Sequence, residues 1–384
     1  MPHALTDARR LVTTQAVVGV SLAFFTVGFL MGSWGPMIPQ YAARVHESRA
    51  SVGILLGVAS GAGFVMVLVG GYLVARLEIR HVVQIGSVVI AFGMAGLAFG
   101  TTKVLLVVAA ALAGAGVALV NLSGNQALSR SGHPKTMTHS AIANTVYALG
   151  AVSAPLLIAL GVSGRWLLVG AAGCAVIGGI LVTSLAWVVP RVTATQQLRS
   201  GSTMFIVAMF LIGIGGYVAL EASIAGWLPT AVTRAGGSAT LGAWAATVFY
   251  GAMTIGRFAV AVLGTKLRPS ILTVTATGLV VLVLVASAPF KPFIGITIVG
   301  LMMAPVFPGS AVWLARLTPG DPSPTTWLLL AAQAGGAIVP PIIGFALQDT
   351  GVAFSLLLAP IALVSFAAYA VVALMRKRAI NAAT

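Results

Sequence analysis

Gly70-Gly71-Tyr72-Leu73-Val74-Ala75-Arg76-Leu77-Glu78-Ile79-Arg80 closes one apolar run, 51–75, and leads into the next, 82–100. Each run is near the roughly 20 apolar residues that a helix needs to cross a bilayer. Two helices joined by a short charged turn is the local reading, and the pattern returns later in the chain. At an offset of 190, Pro39 falls on Pro229, Gly61 on Gly251, Arg76 on Lys266 and Leu77 on Leu267. At an offset of 186, Gly114 falls on Gly300, Arg130 on Arg316, Gly150 on Gly336 and Pro155 on Pro341. Two nearly equal offsets over long stretches predict two six-helix halves, 1–189 and 203–384, joined by the polar segment 190–202.

Composition agrees with spanning helices. Of 384 residues, 59% are hydrophobic and 7% charged, against about 25% charged in a soluble domain. Only lipid solvates so much apolar surface with so few charges around it. Twelve spans are read at 12–42, 51–75, 82–100, 104–126, 138–162, 165–189, 203–233, 239–264, 270–288, 292–315, 325–347 and 352–375. The breaks carry Gly, Pro and charge, as in Gly132-His133-Pro134-Lys135 and Thr318-Pro319-Gly320-Asp321-Pro322. The first run is too long for the roughly 7–15-residue apolar core of a signal peptide and is read as a retained helix. The expected fold is therefore all-α and polytopic, with function inside the helical bundle.

The 21 basic residues set the orientation. With the N-terminus inside, 14 fall on inner loops and tails, six on outer loops, and Arg257 lies within a span. Both termini are expected in the cytoplasm of an inner-membrane protein. The basic residues are scattered between apolar runs, so the net charge of +15 does not form a nucleic-acid-binding patch. Repeated halves also have a mechanical meaning: one bundle rocking against its partner exposes a solute site to each side in turn. That favours a secondary transporter over a channel.

The stretch 70–80 resembles the motif Gly-x-Leu-Ala-Asp-Arg-x-Gly-Arg-Arg that the major facilitator superfamily places between helices 2 and 3. Gly71, Leu73, Arg76 and Arg80 match. Ala75 stands where the motif has Asp, and Glu78 where it has the second Gly, so Glu78 is the candidate substitute for the missing acid. Three further stretches resemble the fucose–galactose–glucose:proton symporter branch: Glu221-Ala-Ser-Ile-Ala-Gly-Trp-Leu-Pro, Gly251-Ala-Met-Thr-Ile-Gly-Arg-Phe and Ala304-Pro-Val-Phe-Pro. The resemblance implies two pseudo-symmetric six-helix bundles, a cavity lined by helices 1, 4, 7 and 10, and proton-driven uptake of a sugar or similar solute. It also implies a gating role for Gly71, Arg76, Glu78 and Arg80. Members of that branch carry acids in helices 1 and 4; here helix 1 has none and helix 4 offers only Asn121 and Asn125.

Of the six acidic residues, Glu221 alone sits well inside a span. An acid there is costly and is by default a functional candidate, here for carrying the coupling proton; fixing a neighbouring helix by a hydrogen bond is the alternative. Arg257 is the one intramembrane base, a candidate for gating or solute contact. Nine residues separate it from Lys266, about 13 Å at the helical rise, whereas Glu221 sits nearer the outer side, so a direct ion pair between them is not expected. Asn121 and Asn125 are four apart and share a face, offering uncharged donors and acceptors suited to hydroxyls, or else interhelical glue. Asn144, Tyr147, Tyr250 and Gln333 add neutral hydrogen-bonding groups. Trp34 and Trp227, near the outer span ends, read as interfacial aromatics or as stacking platforms for a sugar.

No enzyme is expected. The five histidines lack metal-ligand spacing, the phosphate-cradling Gly-x-x-x-x-Gly-Lys-Ser/Thr is absent, and Cys174 is the one cysteine, so neither a metal, a disulfide nor a cofactor is called for. The expected partners are a small solute, protons and lipid, with the chain acting as a monomer. A proton-coupled importer leads, ahead of an exporter of amphipathic or drug-like compounds and an uncoupled facilitator or sensor. Cysteines introduced into a Cys174→Ala background and probed with an impermeant thiol reagent should find 190–202 and both termini inside. Labelling of any position in 190–202 from outside would overturn this topology.

Overall fold

The computed structural model describes residues 13–129, 136–184, 201–263, 268–290, 292–318 and 323–381. Most of the predicted connector, together with Arg130, Lys135 and Lys266, lies outside them. Among these residues the chain forms α-helices, one short 3-10 turn and no strand. The first group is α1 (Thr14–Val45), α2 (Arg49–Arg76), α3 (Ile79–Phe99), α4 (Lys103–Ser129), α5 (Thr136–Ala159) and α6 (Gly164–Leu181). The second is α7 (Gly201–Arg234), α8 (Ala239–Leu263), α9 (Pro269–Ala286), α10 (Pro292–Met303), α11 (Val306–Leu317), α12 (Ser323–Asp349) and α13 (Phe354–Asn381). The helices fall into two compact units, Met1–Val192 and Thr193–Thr384.

Helices are the expected solution for a chain in lipid, because each satisfies its own backbone groups. Side chains finish some of the ends: the Thr13 and Ser48 hydroxyls accept from the Ala16 and Ser51 amides at the starts of α1 and α2. Among the described residues, eleven spans are long and apolar enough to cross a membrane, counting Gly295–Leu317 of α10 and α11 as one. A twelfth long helix, α8, carries Arg257 among apolar neighbours. The single helix expected over 292–315 is interrupted at Ala304 and Pro305. The cause is local: Pro305 and Pro308 lack N–H groups, so the Leu301 and Ala304 carbonyls lose their helical donors.

The repeat extends from residues to contacts. In the first unit α1 packs on α5 and α6, α2 on α4, and α3 on α4 and α6. In the second α7 packs on α12 and α13, α8 on α10, and α9 on α10 and α13. The register matches as well. A Cβ on Gly114 would collide with the Ala59 carbonyl, and one on Gly300 would lie 2.7 Å from the Phe249 carbonyl oxygen. Ala59 and Phe249 are themselves 190 apart. The ends of α1 and α7 follow the same offset, with His46 at φ 56° and Gly236 at φ 84° in the left-handed conformation that turns the chain out of a helix.

Arg44 and Arg234, one more pair at this offset, both donate to carbonyls at helix ends. Arg44 Nη1 reaches Leu97 at 2.9 Å and Ala98 at 3.0 Å, closing the end of α3. Arg234 Nη1 reaches the Leu347 carbonyl near the end of α12. The repeat thus keeps the arginine and changes the helix that it ties.

Lipid tails are as apolar as leucine, so helices here hold together by close contact between small residues. Gly114→Ala should cost about 1–3 kcal/mol, as overpacking does. Gly61→Ala should cost little, because a Cβ there meets no atom within 4 Å. Melting temperatures of the two purified variants in one detergent check this; equal losses would contradict it.

Candidate functional site

Glu221 lies on α7 and Arg257 on α8, and the two helices form an antiparallel pair joined through 235–238. Glu221 is 13 residues before Arg234, and Arg257 is 18 residues after Ala239. At the helical rise these are about 20 Å and about 27 Å from the joint. Backbone depth therefore separates them by about 7 Å. Side-chain direction closes the gap. Each Cα–Cβ bond leans toward the N-terminus of its own helix, so Arg257 leans toward the joint and Glu221 away from it. Arg257 Nη2 comes to 3.7 Å from Glu221 Oε1.

This corrects the expectation that no direct pair forms, which compared depths and left out the opposed lean of two long side chains. The separation exceeds the ordinary hydrogen-bond range of about 2.7–3.2 Å. The side chains are 34% exposed for Arg257 and 19% for Glu221, so the pair is accessible rather than sealed in packing.

Two more elements complete the surroundings. Tyr217 is one turn before Glu221 on α7, and its hydroxyl is buried. Glu221 and Arg257 both act on it, by charge and by hydrogen bonding. Its ring sits 6.4 Å from that of Phe307, just after the interruption between α10 and α11. On α8, a Cβ on Gly256 would lie 2.6 Å from Ala304 Cβ and 2.7 Å from the Leu301 carbonyl oxygen. The bare backbone at Gly256 lets α8 touch the interruption one residue before Arg257. Tyr217 was missed in the sequence; its spacing of four from Glu221, on the same helix face, was the signal available.

The other candidates divide between the units. Asn121 is half-buried and Asn125 exposed, and Asn125 Nδ2 donates to the Asn121 carbonyl at 2.8 Å, which commits part of that amide to its own helix. Asn144 is exposed and Tyr147 half-buried on α5, and both have interaction partners. In the second unit Gln333 is half-buried on α12, while Tyr250 is buried with its ring edge-on to Phe249 at 5.3 Å.

The tryptophans are where the structure departs most from expectation. Trp34 and Trp227 are both buried. Trp227 Nε1 donates to the Pro340 carbonyl at 2.6 Å, and its ring lies over Gly344. Neither tryptophan forms an interfacial belt or presents an open ring face. Both precede a proline in the sequence, but the burial of Trp227 depends on what α12 brings to that side.

In the 70–80 stretch, Glu78 Oε2 pairs with Arg80 Nε at 2.6 Å, and Arg80 also reaches the Thr183 carbonyl at 3.5 Å. Arg76 stacks over the Tyr72 ring at 4.5 Å, and Gly71 is exposed. Glu78 thus does engage an arginine of the motif, from a position three residues after Ala75.

A family model for the Major Facilitator Superfamily matches residues 20–319. The chain belongs to that superfamily. Its function is accordingly transport, not catalysis. An uncharacterized MFS-type transporter of Yersinia pestis is 28% identical over 109 residues, a stretch covering 28% of each chain. Among solved structures, the nucleoside transporter NupG superposes with a TM-score of 0.69 at 14% identity, over 94% of this chain and 99% of that one. The transporter FucP in its outward conformation gives 0.66 at 15% identity, over 95% and 99%. The Escherichia coli fucose:proton symporter FucP gives 0.66 at 15%, over 93% and 98%. At such identities the likeness is one of superfamily fold.

Removing one charge from the Glu221–Arg257 pair leaves the other without its partner in a low-dielectric setting. Arg257→Gln should therefore destabilise the protein more than Arg257→Gln combined with Glu221→Gln, with a coupling on the order of 1 kcal/mol. A double-mutant cycle of detergent melting temperatures measures it. Strict additivity would mean that the pair does not interact.

Proposed function

We propose that this protein is a proton-coupled secondary transporter that moves a small organic solute, sugar-like or otherwise, across the cell inner membrane by alternating access. The halves 1–189 and 203–384 act as the two moving bodies and 190–202 as the connector, with both termini in the cytoplasm and a monomer as the working unit. The observation that carries the reading is the acid–base pair of Glu221 and Arg257 inside spanning helices. An ionisable pair at that depth is expensive unless it is used. Glu221 takes the coupling proton. Asn121 and Asn125, with Asn144, Tyr147, Tyr250 and Gln333, supply neutral contacts to the solute, and Gly71, Arg76, Glu78 and Arg80 serve gating. A fucose:proton symporter of the same fold makes coupled transport a natural use of this architecture.

A low-dielectric setting favours the neutral acid and contact with water favours the anion. Alternating access converts that difference into directional movement. Glu221→Gln keeps the shape and hydrogen bonding of the protonated acid but cannot release a proton. In proteoliposomes it should abolish accumulation driven by a pH gradient while sparing counterflow without one. Accumulation at the parent rate would remove Glu221 from the mechanism.

A further inference from the structure

Charge bookkeeping at Glu221 and Arg257 constrains the solute. With both ionised, the pair is neutral. One proton on Glu221 leaves Arg257 with a full positive charge inside the membrane. Among the described residues, the other charged or tyrosine groups on the helices packed against α7 and α8 cannot offset it. Arg316, Asp349 and Arg376 lie near the ends of α11, α12 and α13, and Arg268 just before α9. Tyr369 on α13 is stacked on Phe210 and Trp313, some eleven residues along α7 from Glu221. Arg234 is committed to the Leu347 carbonyl, and Tyr250 is buried against Phe249. A neutral solute would leave the positive charge standing; an anion removes it.

We propose that the solute is a small organic carboxylate, held by the Arg257 guanidinium in place of Glu221 when Glu221 is protonated. This rests on the reading of Glu221 as proton carrier and adds the substrate class. Three observations carry it. The pair is 3.7 Å apart and partly exposed, so a carboxylate can reach Arg257 and exchange with Glu221. A guanidinium holds a carboxylate by two parallel hydrogen bonds, which Glu221 does not complete at that distance. The Tyr217 hydroxyl is buried beside both charges and interacts with each, so it is placed to donate to the second oxygen of a carboxylate that takes the place of Glu221. A metal cation is disfavoured at the same place by Arg257 itself, despite the Leu301 carbonyl at the neighbouring interruption. One proton and one anion bind together, so the loaded and empty sites carry the same charge and the cycle moves no net charge across the membrane.

The test uses the purified full-length protein with lactate, gluconate, galacturonate and benzoate as probes, and glucose and galactose as neutral controls. Ligand-induced shifts in melting temperature are read at mildly acidic and mildly alkaline pH. At least one carboxylate should stabilise the parent protein, more at the acidic pH, and the neutral sugars should not. Arg257→Gln should weaken that binding about tenfold or more, the loss expected for a charge-assisted partner. Glu221→Gln should bind the carboxylate equally well at both pH values. If Arg257→Gln does not fold, the double variant with Glu221→Gln, which leaves no lone charge, takes its place and should not bind. No stabilisation by any of the four carboxylates, or stabilisation that survives loss of Arg257, overturns the substrate class. The two readings fail separately: Arg257-dependent carboxylate binding that ignores pH in the parent sinks proton coupling at Glu221. Coupled accumulation of a neutral sugar, lost in Glu221→Gln, sinks only the carboxylate.

Discussion

Helices in lipid gain nothing by hiding leucine from a solvent that resembles leucine, so contact at short range has to hold them together. That constraint accounts for the distribution of small residues in both units. Gly114 rests on the carbonyl of Ala59 and Gly300 on that of Phe249. Likewise Gly150 meets the backbone of Phe25, and Gly335 that of Gly215. Phe25 and Gly215 are again 190 apart, while Gly335 stands one residue before Gly336, the repeat partner of Gly150. The duplicated pattern is therefore a set of paired backbone approaches, and the side chains around each are free to differ.

The same absence of water governs the polar groups. Where the chain departs from regular helix, at Ala304 and Pro305, the irregular backbone is covered by α8 at Gly256. The one acid and one base deep in the spans of the second unit are found beside that cover and beside each other. Interruption, close-packed glycine and charge pair make one local arrangement drawn from three helices, of which the chain order gives no hint.

The sequence was sufficient for the spans, the family and the two-fold pattern, because apolar length and a fixed offset are properties of the chain alone. It also singled out Glu221 and Arg257, since any charge stands out among apolar neighbours. Their pairing was not legible from residue counting, which places Cα atoms by depth and says nothing about the direction of a side chain. Trp227 was misread for a related reason: the carbonyl of Pro340 and the bare surface of Gly344 that take its indole come from a helix 113 residues away. The interruption at 304–305 was half-visible. Two prolines three apart mark weakened helical bonding, but proline alone does not tell a bend from a stop, and Pro36 and Pro39 sit within an unbroken α1.

The exchanged helix ties of Arg44 and Arg234 bear on how the chain is made. As the polypeptide leaves the ribosome, the acceptors of Arg44 follow it by 53 to 56 residues, so the first half can tie that end once its third helix is in the bilayer. Arg234 waits 113 residues for Leu347, and Trp227 waits 113 for Pro340. Until α12 is synthesised, the far end of α7 carries a basic side chain and an indole N–H whose final acceptors do not yet exist. A nascent chain that stalls before α12 therefore leaves that end of α7 untied.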